Sequence, residues 1–217
     1  MRRVGLTGGL ASGKSFVGDT LASLGCALLK ADDVGHRLLQ PGGAAYPLVV
    51  AAFGDSILQP DGAIERSHLA ALVFGHPERL KTLNAIIHPL VFEEEERFFE
   101  RLEKEAPTPA RPGEQPPPKI GVVEAAILIE TGNHLNFEKI WVAWCPREVQ
   151  IERAVHRGLT REQALSRLEH QMPLDEKLRF ADEVIDTSGS KDDTVALVEA
   201  AHRRLLENPG RLLEECE

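Results

Sequence analysis

Gly8-Gly9-Leu10-Ala11-Ser12-Gly13-Lys14-Ser15 follows the apolar run Val4-Gly5-Leu6. It precedes Phe16, Val17, Leu21 and Leu24, apolar residues at helical spacing that stop at Gly25. A G-x-x-x-x-G-K-S spacing carries meaning only in that setting, between a strand and a helix. Gly8 and Gly13 let the backbone turn so that successive N–H groups point inward at phosphate oxygens, and the positive end of the following helix adds to that field. Gly9, Ala11, Ser12, Gly13, Lys14, Ser15 and Phe16 are therefore the residues expected around the phosphates of ATP. Lys14 can reach the β- and γ-phosphates, and the Ser15 hydroxyl can ligate Mg²⁺. Such a loop does not set the reaction by itself. The chain has no Asn-Lys-x-Asp guanine-reading motif, and its 217 residues suit a small-molecule kinase better than a motor-type ATPase.

Outward from this loop, Cys26 to Leu29 reads as a second short strand running into Lys30-Ala31-Asp32-Asp33. Residues 34 to 105 carry helical signals instead: Val34 to Leu39, Ala44 to Phe53, Arg66 to Val73, Pro77 to Ile87, and a separate charged helix from Pro89 to about Glu105. Within it the run Glu93 to Glu96 is expected to be a solvated face. Residues 106 to 118 hold six prolines, each fixing φ and removing a donor, and predict a surface loop. Strands are expected again at Lys119 to Ile129, Lys139 to Trp144 and Val184-Ile185, alternating with helices at Arg147 to His156, Arg161 to Gln171 and Asp192 to Glu207. Alternation of this kind implies a parallel sheet with helices on both faces. The fold class is thus α/β, of the P-loop NTPase kind. The helical stretch 34–105 reads as an insertion into this α/β core.

The net charge of −9 and pI near 5.4 argue against a duplex nucleic-acid partner, which needs a basic face. Three cysteines, Cys26, Cys145 and Cys216, form neither an even set nor a zinc spacing, and a reducing cytoplasm suits them. The start Met1-Arg2-Arg3 lacks the apolar length of a signal peptide, and no stretch approaches a membrane span. Cytoplasmic location, no membrane partner and a monomer are the expectations.

The chemistry points to a few side chains. Asp32, just past the second strand, can accept a proton from an attacking hydroxyl as a kinase base does, or it can cap the next helix. Glu124, acidic within an apolar strand, can orient Mg²⁺ through water or serve a structural ion pair. Arg147, Arg153, Arg157, Arg161 and Arg167 are the densest arginine cluster in the chain. Arg153 and Arg157 share a helix face and are the ones expected to meet phosphate.

The landmarks 5–15, Ala31-Asp32, Gln40-Pro41-Gly42, Asp61-Gly62 with Arg66, and Leu83-Asn84-Ala85-Ile86-Ile87-His88-Pro89 resemble those of the dephospho-CoA kinase family. So do Ile127 to Gly132, Gln150 with Arg153 and Arg157, Gln171, and Ala181 to Asp186. The resemblance implies ATP-dependent phosphorylation of the ribose 3′-hydroxyl of dephospho-CoA. It also implies that 34–118 form a helical domain for the acceptor and 147–175 a small helical lid, on a nucleotide-binding core of 1–33, 119–146 and 176–217. It implies Lys14, Asp32, Arg153 and Arg157 as catalytic residues, and Asp32, His36, Arg66 and His88 at the acceptor. Ser15 and Glu124 would hold the metal. The family's Asp-Ala-Asp reads Lys30-Ala31-Asp32 here, and its Asp-x-Pro-Leu-Leu-Phe-Glu reads Glu124-Ala125-Ala126-Ile127-Leu128-Ile129-Glu130. A kinase for another nucleotide or nucleoside, or a non-catalytic nucleotide-binding protein, are the competing readings.

Overall fold

Val4 to Gly8 are apolar or small on both faces, so the strand that runs from Arg2 to Gly8 can be buried on both sides along most of its length. The computed structural model describes residues 1–73, 75–106 and 117–207. Most of the proline-rich stretch, Phe74 and Cys216 lie outside the described residues. In chain order the elements are β1 (Arg2–Gly8), α1 (Lys14–Ser23), β2 (Ala27–Lys30), α2 (Ala31–Leu38), α3 (Tyr46–Phe53), α4 (Arg66–Val73) and α5 (Pro77–Lys104). Then follow β3 (Ile120–Glu124), β4 (Lys139–Trp144), α6 (Arg147–His156), α7 (Arg161–Glu169), α8 (Leu174–Lys177), β5 (Glu183–Asp186) and α9 (Lys191–Glu207).

The chain divides into two compact units, Met1–Leu29 with Phe99–Glu217, and Lys30–Phe98. The first is built on a five-stranded sheet in the order β2-β3-β1-β4-β5. β1 is parallel to β3 (Val4 opposite Val122) and to β4 (Leu6 opposite Trp141), and β4 is parallel to β5. Val4, Leu6, Val122 and Trp141 pack with Val17 and Leu21 of α1 and Val198 and Ala201 of α9. Burying each such aliphatic or aromatic side chain stabilises the fold by roughly 1.5–3 kcal/mol. The Lys119 ammonium donates to the carbonyls of Leu102 (2.6 Å), Glu103 (3.3 Å) and Glu105. A cation there complements the negative end of α5.

The second unit is helical, with a short 3₁₀ turn at Asp55–Ile57 and one isolated antiparallel bridge, Leu58 to Ile64. Two helices predicted around Pro89 are one here: α5 continues through it. Proline removes one intrahelical hydrogen bond and costs ~3 kcal/mol. Leu83 and Val91, on either side of it, both stay buried, and that burial offsets the loss. Glu95 corrects the expected solvated run, because it is buried in step with Val91, one turn away.

A second correction concerns residues 125–129, predicted as strand. β3 stops at Glu124, and a turn follows, with Thr131 N–H donating to Ile127 O and Gly132 N–H to Ile129 O. Leu128 and Ile129 are nonetheless buried. A short apolar run looks the same in a buried turn as in a buried strand. α8 was not anticipated, and α7 ends at Glu169 rather than Gln171.

Candidate active site

β1 delivers the chain into the glycine-rich loop, and α1 leaves it. Gly13, the N-cap of α1, has φ +86°. L side chains rarely adopt that value, and a Cβ there would sit 2.9 Å from Thr187 Oγ1. At Gly8 the constraint is space: a Cβ would lie 2.4 Å from Ser12 Oγ and 2.8 Å from the Ala143 carbonyl. The N–H groups of Lys14, Ser15 and Phe16 occupy the first turn of α1, where no intrahelical acceptor exists, and no side chain caps that end. Ser12 Oγ is buried without a hydrogen-bond partner among the described residues. The loop thus offers a concave set of donors that fits phosphate oxygens.

Lys14 and Ser15 both turn onto Glu124 at the end of β3. Lys14 Nζ and Ser15 Oγ each donate to Glu124 Oε1 at 2.6 Å. The pair is secluded, with the Lys14 side chain 11 % exposed and that of Glu124 4 %. Glu124 Oε2 is buried and has no hydrogen-bond partner among the described residues. A hydroxyl and a carboxylate with a free oxygen are the hard ligands Mg²⁺ takes, and they leave its other positions to phosphate and water. The residues present fit the ion. Among the described residues no cluster of three or more His, Cys, Asp or Glu could hold a metal, so few protein ligands are available.

Arg153 and Arg157, grouped by sequence, are in different circumstances. The Arg153 guanidinium donates to Thr187 Oγ1 (3.2 Å) and to the Thr187 carbonyl. Thr187 Oγ1 in turn donates to the Ser12 carbonyl at 2.7 Å. Arg153 therefore braces the phosphate loop through Thr187, a residue the sequence reading missed. Arg157 is exposed at the C-cap of α6 and makes no side-chain hydrogen bond or ion pair among the described residues. α7 opens with a capping box: the Thr160 side chain accepts from Gln163 N–H, and Gln163 accepts from Thr160 N–H.

Within the helical unit, Asp32 is exposed in the first turn of α2 and is not its N-cap, a position taken by Lys30. His36 Nε2 and Arg66 Nη2 are 2.7 Å apart, so two of the four residues expected at the acceptor are brought together. His88 is half-buried on α5, its ring 6.2 Å from that of Phe92, and burial pushes its pKa below the usual histidine value.

With this geometry in hand, a family model described as dephospho-CoA kinase matches residues 2–193. The chain belongs to the dephospho-CoA kinase family. A dephospho-CoA kinase of Aquifex aeolicus is 35% identical over 96% of this chain and 100% of its own length. One from Symbiobacterium thermophilum is 40% identical over 94% of this chain and 81% of its own. The crystal structure of TT1252 from Thermus thermophilus superposes with a TM-score of 0.80 at 29% identity, covering 94% of this chain and 97% of that one.

In this member of the dephospho-CoA kinase family two glutamines stand at the phosphate loop, and a buried lysine stands at the turn that follows β3. Gln171 Oε1 accepts the Leu10 N–H at 3.0 Å. Gln150 donates its amide N–H to the Cys145 carbonyl at 3.3 Å, and its Oε1 is buried without a partner among the described residues. Both glutamines line a cavity of about 560 Å³, together with Gly9, Trp144, Arg147 and Asp175. The lysine is Lys177, and it is fully buried. Gln150 and Gln171 were legible as family landmarks. Lys177 had no signal, since lysine in a polar segment reads as surface.

Proposed function

We propose that this chain transfers the γ-phosphoryl group of ATP to the ribose 3′-hydroxyl of dephospho-CoA, giving coenzyme A and ADP, with Mg²⁺ required. The observation that carries this reading is the convergence of Lys14 and Ser15 on Glu124 inside a phosphate loop of this family.

On this reading the loop amides and Lys14 hold the triphosphate, and Ser15 and Glu124 hold the metal. Bound Mg²⁺ would offset charge on the β- and γ-phosphate oxygens. Asp32 takes the proton of the 3′-hydroxyl as its oxygen bonds to the γ-phosphorus and the bond to the bridging oxygen of ADP breaks. His36, Arg66 and His88, in the helical segment 34–118, bind the acceptor. Residues 147–175 act as a lid in which Arg157 is free to meet the transferring phosphoryl group, while Arg153 keeps the loop in shape. Closure of such a lid excludes water and brings guanidinium groups to the developing charge. The protein acts as a monomer in the cytoplasm.

A coupled assay of ADP release with ATP and dephospho-CoA, run with and without Mg²⁺, tests the reading. Turnover that needs both the acceptor and the metal is the expected result. ATP binding with no transfer to dephospho-CoA overturns it, and Asp32→Asn with full turnover overturns the base assignment.

A further inference from the structure

The return path from the arginine-bearing helices, residues 171–177, is fastened at three points, one on the phosphate loop and two on the turn that follows Glu124. Gln171 Oε1 accepts Leu10 N–H. Met172 N–H donates to Glu130 Oε1 at 3.1 Å. Lys177 Nζ donates to the Ala126 carbonyl at 2.6 Å and to Glu130 Oε2 at 3.0 Å, with Oε1 of the same carboxylate 2.8 Å away.

The third fastening calls for a reason beyond packing. The Lys177 side chain is 0% exposed, and taking an ammonium out of water is costly unless strong partners meet it. Burial pulls its pKa below the usual lysine value; Glu130 opposes that shift and the nearby charge of Lys14 adds to it. A methionine would fill the same volume without the desolvation cost. What the ammonium provides is a pair of directed donors, and both go to one segment, 126–130. That segment continues from Glu124, which holds Lys14 and Ser15. Thr7, at the end of β1, also reaches the Ala126 carbonyl, at 3.4 Å.

We infer that Lys177 is a positioning residue for phosphoryl transfer: it locks the turn that follows Glu124 and, through Glu130, ties it to the base of the arginine-bearing helices. This rests on the kinase reading for its catalytic consequence, but the clamp is a property of the chain itself. Glu130 is its hub, since one carboxylate accepts from Lys177 and from the Met172 amide.

Lys177→Met and Glu130→Gln test it, with steady-state kinetics, Mg·ADP titration calorimetry and hydrogen exchange measured on each. Displacement of reacting groups by about 1 Å can cost ~10²-fold in rate, so Lys177→Met is expected to lower kcat roughly 30- to 100-fold. Glu130→Gln keeps the shape and an acceptor, and its expected loss is about tenfold. Affinity for Mg·ADP is expected to stay within about threefold in both, because the loop amides and Lys14 are untouched. Backbone exchange of peptides covering 125–132 is expected to quicken at least about tenfold while peptides covering 9–18 keep their rates.

A kcat within about threefold of wild type in both variants overturns the inference, and so does an ADP affinity that falls in proportion to kcat. Unchanged exchange at 125–132 overturns it as well. If Lys177→Met does not fold, Glu130→Gln decides alone. If wild-type protein gives no turnover with dephospho-CoA, the kinase reading has failed, and the exchange data still judge the clamp.

Discussion

Replacing Glu124 by Gln isolates the charge at the heart of the site. The amide has nearly the same shape and can still accept from Ser15, so what disappears is the anion opposite Lys14, 2.6 Å away. Both side chains are nearly excluded from solvent, at 11 % and 4 % exposure, so water does little to screen the loss. Breaking a buried pair by removing one partner costs about 3–5 kcal/mol, because the other charge is left uncompensated. At about 2–4 °C per kcal/mol for a chain of this size, a loss of ~3 kcal/mol lowers Tm by about 6–12 °C. The same change removes the internal competitor for Lys14. ATP without Mg²⁺ is therefore expected to bind the variant at least about tenfold more tightly, one order of magnitude being only ~1.4 kcal/mol. Mg²⁺-dependent turnover is expected to fall. Differential scanning calorimetry, with and without nucleotide, reads the first effect, and isothermal titration in EDTA reads the second. A variant that melts within about 2 °C of wild type and binds metal-free ATP no better would refute the reasoning, because the 2.6 Å contact would then have no energetic weight in solution.

Arg157→Ala is expected to lower kcat by about 10- to 100-fold with Tm unchanged, as its guanidinium has no partner to lose among the described residues, whereas Arg153→Ala is expected to lower Tm and ADP affinity together by undoing the brace on Thr187. Burial lowers the pKa of His88 and His202, so each stays neutral when folded more readily than when unfolded. Their contribution is present above the unfolded histidine value and is lost as pH falls through the lowered folded values. Thermal melts between pH 7.5 and 5 should therefore show a fall in Tm that becomes shallower in His202→Gln. Burial pushes the Cys26 thiol up to about 12 and the Cys145 thiol above its usual value, so thiolate is scarce at pH 8. Peptide mapping after treatment with a maleimide is expected to find both unlabelled in native protein and labelled in guanidinium.

Much of the fold was legible because local signals agreed. The bounds of β4 and α6 follow directly from Lys139-to-Trp144 and Arg147-to-His156, and the phosphate loop lies where its flanks require. Pro89 misled because a local rule for ending helices yields to burial along the same face. Residues 125–129 misled because apolarity reports burial and not backbone direction. At the site, Lys14, Ser15 and Glu124 could each be named, but not their convergence, since Glu124 is 109 residues from Ser15. Thr187 and Lys177 were silent for a similar reason. The role of each comes from a partner far along the chain, Ser12 for one and Ala126 for the other.

Lys119 closes the C-terminal end of α5 against the first residues of β3. The two ends of the proline-rich stretch are thus stapled together at a fixed span, independent of what lies between them. Doubling the length of a loop with fixed ends costs only about 0.6 kcal/mol. That staple separates connection from architecture: lengthening the linking sequence leaves the helix end and the strand start in register, because Lys119 holds them.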